Sequence, residues 1–243
     1  MLDRSPTLRR PLLTMLAATT AVAIGGCGST TTSPSAPSSQ ASDAPAVETS
    51  AAPSSFAPRT IPATAFLQLP ETMRRDHKKA DGSAAVPRLC DGELAAGAGV
   101  VASAAMMNTY QQPDAPAGSV PHGLLYQTIR SYDGDEAHAF MQRARDGLAD
   151  CKTYKSNENT ITVRTKQLSG AADEALTIDL VQPQLDLPGN PTGGEQTNRI
   201  VVMRFGTVVT ILFDDEYERS SSDPKLVDTF VQEAEKAIHT WRG

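Results

Sequence analysis

Apolar residues recur at three- and four-residue spacing in two stretches of this chain and alternate with polar residues in several others. In the first helical stretch Ala137, Phe140, Met141, Ala144 and Leu148 form one stripe. Asp133 stands ahead of it as an N-cap, with Glu136 three residues on in the manner of a capping box. The spacing predicts a helix over 133–150. In the second stretch Leu226, Val227, Phe230, Val231, Ala234, Ile238 and Trp241 share a face, with Asp223 as N-cap and Pro224 at the first helical position. Strands are predicted at 160–167 and 175–182, where each has one apolar and one largely polar face. Residues 199–205 and 207–213 are apolar on both faces and read as central strands joined at Gly206. The β-branched and aromatic stretches 100–110 and 122–132 complete a set of about six strands.

These elements predict an α+β domain: an antiparallel sheet of about six strands with the two main helices packed on one face. Between the elements, 91–96 reads as a short helical turn, and the basic run Arg74, Arg75, His77, Lys78, Lys79 as a solvated loop closed by Asp81-Gly82, with binding of an anionic wall polymer or phosphate as the alternative. The glycine-rich residues 187–194 read as a loop over one end of the sheet. The segment from Thr60 to Leu69, with Ile61, Phe66 and Leu67, pins the domain's beginning to its surface.

Upstream of the domain the pattern changes. Residues 12–24 are an apolar run preceded by Arg4, Arg9 and Arg10, the layout of a secretory signal, and too short for the roughly 20 residues a membrane-spanning helix needs. The run ends Ile24-Gly25-Gly26-Cys27, which resembles the lipobox of bacterial lipoproteins. That resemblance implies cleavage after residue 26 and fatty acylation of Cys27, so that the mature chain sits on the outer face of a cell membrane, held by its acyl chains. Residues 27–58 are then a tether of Ser, Thr, Ala and Pro, too poor in apolar side chains to fold, with a mean end-to-end reach of ~30 Å. Residues 59–243 form the single folded domain.

The formal charge of the whole chain is −6, and loss of residues 1–26 takes it to −8. This excludes nucleic acid as a partner, because phosphate neutralisation requires a net basic face. Arginine outnumbers lysine fifteen to seven, a bias that points to a GC-rich, actinobacterial coding sequence.

With Cys27 acylated, Cys90 and Cys151 are the remaining thiols in an oxidising compartment, and a disulfide between them is the expectation. A catalytic thiol or metal site is the sharper alternative, but no Cys-x-x-Cys occurs and neither cysteine has a histidine nearby in sequence. His77, His122, His138 and His239 show no metal-ligand spacing, no Gly-x-Ser-x-Gly is present, and residues 187–194 match neither phosphate-loop pattern. No metal, cofactor or catalytic residue is therefore assigned. Asp214, Asp215 and Glu216 follow the last strand and read as a solvated turn, with calcium binding as the alternative.

The Leu89-Cys90 entry, the helix start at 132–137, Cys151 after that helix, and the paired strands before a C-terminal helix resemble the extracytoplasmic sensor domain of mycobacterial H-type serine/threonine kinases and a group of actinobacterial lipoproteins. The resemblance covers roughly residues 66–241. It implies a sensor-like domain that binds an extracellular ligand in a cleft between sheet and loops. The chain departs from those kinases in having one candidate disulfide instead of two, and neither kinase domain nor spanning helix. The expected function is thus a lipid-anchored envelope protein that binds a ligand or protein partner without catalysis. Arg130, Arg164, Lys166 and Asp179 on the polar face of the sheet are the expected binding residues. The alternative is an envelope hydrolase or transferase using Asp214, Asp215 or His122 as an acid/base group.

Overall fold

A computed structural model describes residues 56–82, 85–156, 159–186, 188–217 and 220–243. Cys27, its signal segment and nearly all of the tether lie outside the described residues. Eight strands form one sheet: β1 (Arg74–Lys79), β2 (Val100–Tyr110), β3 (Gly123–Tyr132), β4 (Thr153–Ser156), β5 (Asn159–Gln167), β6 (Glu174–Leu185), β7 (Pro191–Phe205) and β8 (Val208–Glu216). Their order is β1-β2-β3-β8-β7-β6-β5-β4, antiparallel throughout. Two helices accompany them, α1 (Glu136–Asp150) between β3 and β4, and α2 (Pro224–Arg242) after β8. The α+β class holds, with eight strands instead of about six. The two additions, β1 and β4, are the sheet's edges, and both are too polar to show an apolar period. Charged edge strands are how sheets discourage pairing with other chains.

The helices lie on opposite faces, which corrects the expectation that both cover one. On β7, Val201, Met203 and Phe205 join the cluster of Phe230, Val231 and Ile238 from α2. The alternate residues Ile200 and Val202 join Phe140, Met141 and Leu148 from α1. β8 divides in the same way, Val208 and Leu212 towards α2, Val209 and Ile211 towards α1. The reason is already in the composition of these strands: a sheet apolar on both faces must have both covered. The fully buried Phe140 and Phe230 each contribute about 1.5–3 kcal/mol by leaving water.

Each helix brings a segment with it. On the α2 face Ala65, Phe66, Leu67 and Leu69 pack beside Phe230, as the sequence predicts for the start of the domain. On the α1 face Leu89 and Leu94 pack beside Leu148. Residues 91–96 form turns, Gly92 N donating to Leu89 O (2.6 Å) and Ala95 N to Gly92 O (2.8 Å), not the predicted helical turn. Cys90 is disulfide-bonded to Cys151, which caps the end of α1, across a sequence separation of 61. Closing a loop of that length is worth about 4 kcal/mol in the chain-entropy model.

The two helices begin differently. Asp223 accepts from Lys225 N (2.8 Å) ahead of Pro224, as predicted. α1 begins at Glu136 with Asp135 as its cap and no side-chain capping bond. Asp133 instead accepts from its neighbour Gly134 N (3.1 Å), so the capping box does not form. Of the glycine-rich stretch expected as a loop over the sheet, residues 191–194 instead begin β7, and β6 and β7 run on as a hairpin held at its tip by Asn190 N donating to Asp186 Oδ1 (2.6 Å).

Glu174 fastens α1 to the sheet. Its carboxylate meets His138 Nδ1 (2.7 Å) and Arg145 from α1, and Arg204 Nε (2.6 Å) from β7. Burial opposes its charge, but hydrogen bonds from Arg145, His138 and Arg204 prevail and lower its pKa to about 2.

Candidate functional site

Where β2, β3 and β8 end together, the β2–β3 loop and the residues after β8 enclose an open cleft of about 460 Å³. Its lining includes Gln112, Asp114, Ser119, Val120, His122 and Tyr217. The loop is fixed at several points. Gln111 N donates to Met73 O (2.8 Å), His122 N to Tyr110 O (2.7 Å) and Tyr217 N to His122 O (3.1 Å). Arg75 Nη2 reaches from β1 to Ser119 O (3.1 Å). Three large hydrophobic side chains are exposed among the described residues, and two of them, Val120 (56%) and Tyr217 (41%), line this one cleft. Solvated apolar side chains gathered around a concavity, with polar groups between them, are the usual make-up of a binding site.

Beneath the cleft lies a buried polar group that the sequence does not bring together. Tyr110 and Gly123 are register partners on β2 and β3. A Cβ on Gly123 would stand 2.6 Å from the Tyr110 hydroxyl oxygen and 2.7 Å from its ring. The missing side chain is what lets the ring cross β3 and donate its hydroxyl to Asp214 Oδ1 on β8 (2.6 Å). The ring also meets His122 and Phe230 edge-on, with centroids 5.7 and 5.0 Å apart. Asp214 is 2% exposed, and its Oδ2 and the His122 Nε2 are both buried without a hydrogen-bond partner. Burial pushes the Asp214 carboxyl above its ordinary value, against the opposing pull of Tyr110, Ser222, His122 and Arg199. Its neighbour Asp215 points to the other face, accepts from Asn198 Nδ2 (3.0 Å) and is raised by burial and by the Asp214 charge. Both carboxylates belong to the end of β8, where the sequence suggested a solvated turn.

Asp214 also ends a row of charge across the α2 face. Arg164, Asp179, Arg199 and Asp214 are successive register partners on β5, β6, β7 and β8. Arg199 grips Asp179 with two bonds, Nε to Oδ1 (2.6 Å) and Nη2 to Oδ2 (3.0 Å), and this hydrogen bonding raises its pKa. Arg164 is exposed and 3.5 Å from Glu195. Lys166 is exposed two residues along the same strand. Three of the four residues expected on one polar face of the sheet, Arg164, Lys166 and Asp179, therefore lie on the same face. Arg130 does not: it is buried on the α1 face, donates to Leu94 O (2.7 Å) and lies over the Phe140 ring at 5.8 Å.

The histidines have separate surroundings. His77 meets Asn108 (2.7 Å), His138 meets Glu174, and His239 stands 3.8 Å from Glu235. Among the described residues one group of three metal-capable side chains converges, Cys90, Glu93 and Cys151, and its two sulfurs are already joined to each other.

The cleft residues carried little sequence signal. Gly123 inside a strand was the one local clue, since a glycine there marks a close approach. Val120 and Tyr217 belong to irregular segments where periodicity says nothing.

No protein-family model matches the chain, and no curated protein matches it at a significant level. Among solved structures, the extracellular domain of PknH from Mycobacterium tuberculosis is similar, with a TM-score of 0.43 and 14% sequence identity over 63% of this chain and 72% of that one. The likeness is one of fold alone.

Proposed function

We propose that this chain is a lipid-anchored, extracytoplasmic binding module that takes its ligand in the cleft between the β2–β3 loop and the end of β8. The observation that carries the reading is the gathering of Val120 and Tyr217 around one concavity with His122 in its wall. The lipobox-like residues 24–27 and the Cys90–Cys151 bond support an oxidising compartment outside the membrane. The sensor-like architecture fits a domain that reports occupancy to a partner. Mass spectrometry of material copurifying from native envelope is the test. A bound species retained by the wild type and depleted about tenfold by Val120→Ala/Tyr217→Ala, as expected if the pair forms the binding core, supports the cleft. Equal retention by an equally stable variant rejects it. The anchor is tested separately: Cys27→Ala abolishes incorporation of labelled palmitate, and continued labelling refutes acylation at Cys27.

A second reading, an envelope hydrolase or transferase, is favoured by the meeting of His122, Tyr110 and Asp214 at the sheet end. Its mark is a ligand chemically altered by the wild type and left intact by His122→Ala.

A further inference from the structure

Residues 59–243 carry a formal charge of −6, yet six consecutive residues, Arg74–Lys79, carry +3. In the fold these residues are not a loop but an ordered edge strand, paired to β2 on one side only. Among the described residues no second strand pairs with its other side. Arg74, Arg75, Lys78 and Lys79 are all exposed. The carboxylate within the strand, Asp76, stands 3.8 Å from Lys78, and both side chains are more than half exposed, at 56% and 62%. An exposed contact of that kind neutralises little. His77 and Lys79 face the α2 side and Lys78 the α1 side, because Lys79 pairs with Met106 and Lys78 with Met107. Positive charge therefore wraps around the edge instead of occupying one face. Arg75 is held by Ser119 O at the cleft rim, which fixes one end of the strip.

We propose that the β1 edge docks on anionic lipid headgroups of the membrane carrying the anchor. Three features favour this occupant. The strip is complementary to a negative surface while the rest of the domain is repelled by one, so contact orients the domain with β1 towards the bilayer. A sheet edge paired on one side only offers its exposed basic side chains to a surface that approaches from the other side. β1 is also the first strand after Cys27 in the chain, and acylation there would keep it near the membrane. This rests on the acyl anchor of the proposed function for proximity, but not on the cleft. Each basic residue near an anionic leaflet contributes about fivefold in affinity, so even partial engagement of four gives about a tenfold effect.

The test uses the mature, full-length lipidated protein reconstituted into vesicles of phosphatidylcholine alone or of phosphatidylcholine and phosphatidylglycerol in equal parts. Hydrogen exchange is followed at the amides of 74–79. The expected result is about tenfold slower exchange on the mixed vesicles, lost in high salt and lost in Arg74→Gln/Arg75→Gln/Lys78→Gln/Lys79→Gln. Equal exchange on both vesicles overturns the proposal. If the variant aggregates because its edge is no longer protected, the wild-type salt series still decides. Failure of the anchor is seen independently, as protein that does not float with the neutral vesicles; docking then shows as sedimentation with the mixed vesicles, and its absence overturns the proposal.

Discussion

Both faces are closed by apolar packing, but α1 is also held by covalent and ionic ties, whereas the packing of α2 is laid over buried polar residues. On the α1 side the disulfide holds the end of the helix to the 89–95 turns, Glu174 gathers His138, Arg145 and Arg204, and Arg130 is satisfied by Leu94 O. On the α2 side Phe230 and Val231 cover a layer that includes Asn108, Gln127 and Asp214. There Gln127 accepts from Leu67 N and donates to Thr210, but Asp214 and Asn108 each keep one polar atom without a partner. Unpaired buried polar atoms are expensive. Asp214, His122 and Asn108 place three such atoms close to the cleft, while Glu93 Oε2 and Thr128 Oγ1 lie on the α1 side, so the faces differ less in unpaired atoms than in the disulfide and the Glu174 cluster that reinforce α1.

That contrast fails if the α1-face ties prove dispensable. The largest effect is expected from Cys90→Ala/Cys151→Ala, which releases a loop of 61 residues and lowers unfolding free energy by about 4 kcal/mol. Urea denaturation measures it, and a loss below about 1 kcal/mol removes the disulfide from the account. Next comes Glu174→Gln, which leaves Arg145 and Arg204 facing a neutral amide and costs about 2 kcal/mol at neutral pH. The sign of its pH dependence is fixed by the lowered pKa. Ionised Glu174 stabilises the fold fully above its ordinary value of 4.5, and that contribution disappears as pH falls towards about 2. The wild type should therefore lose stability relative to the variant across that interval. A constant difference between them down to pH 2 would sink the assignment.

Much of this architecture can be read from residue order. Both helical stripes, the six inner strands, the Gly206 join and the cysteine pair follow from period, turn chemistry and compartment. β1 and β4 could not be read in this way, because an edge strand such as Arg74–Lys79 buries almost nothing and so leaves no apolar period. Placing both helices on one face contradicted the double-sided apolar character of residues 199–213, which already required two covered faces. Arg130 was misplaced by the same error, since its strand is buried on both sides. The cleft and the Tyr110–Asp214 bond lie beyond local reasoning. They join residues 104 positions apart, and the register that brings them together is set by the return of β8 to the middle of the sheet.

The α2 face offers the smaller and more discriminating experiment, Asp214→Asn. Burial raises the folded-state pKa of this carboxyl above its ordinary value of 3.8. The sign is then opposite to that of Glu174: stability associated with protonated Asp214 is complete below 3.8 and is lost as pH rises through the raised value. Asparagine keeps an acceptor for the Tyr110 hydroxyl but cannot ionise. The variant should match or trail the wild type at acid pH and exceed it by about 1 kcal/mol at neutral pH, where the wild type carries a poorly compensated buried charge. Taking the difference between the two proteins at each pH cancels titrations they share, including that of Glu174. A difference that does not change with pH, or a variant destabilised at neutral pH, would mean that Tyr110, His122, Ser222 and Arg199 already compensate the carboxylate. Asp214 would then be as well satisfied as Glu174, and their carboxylates would no longer distinguish the two faces.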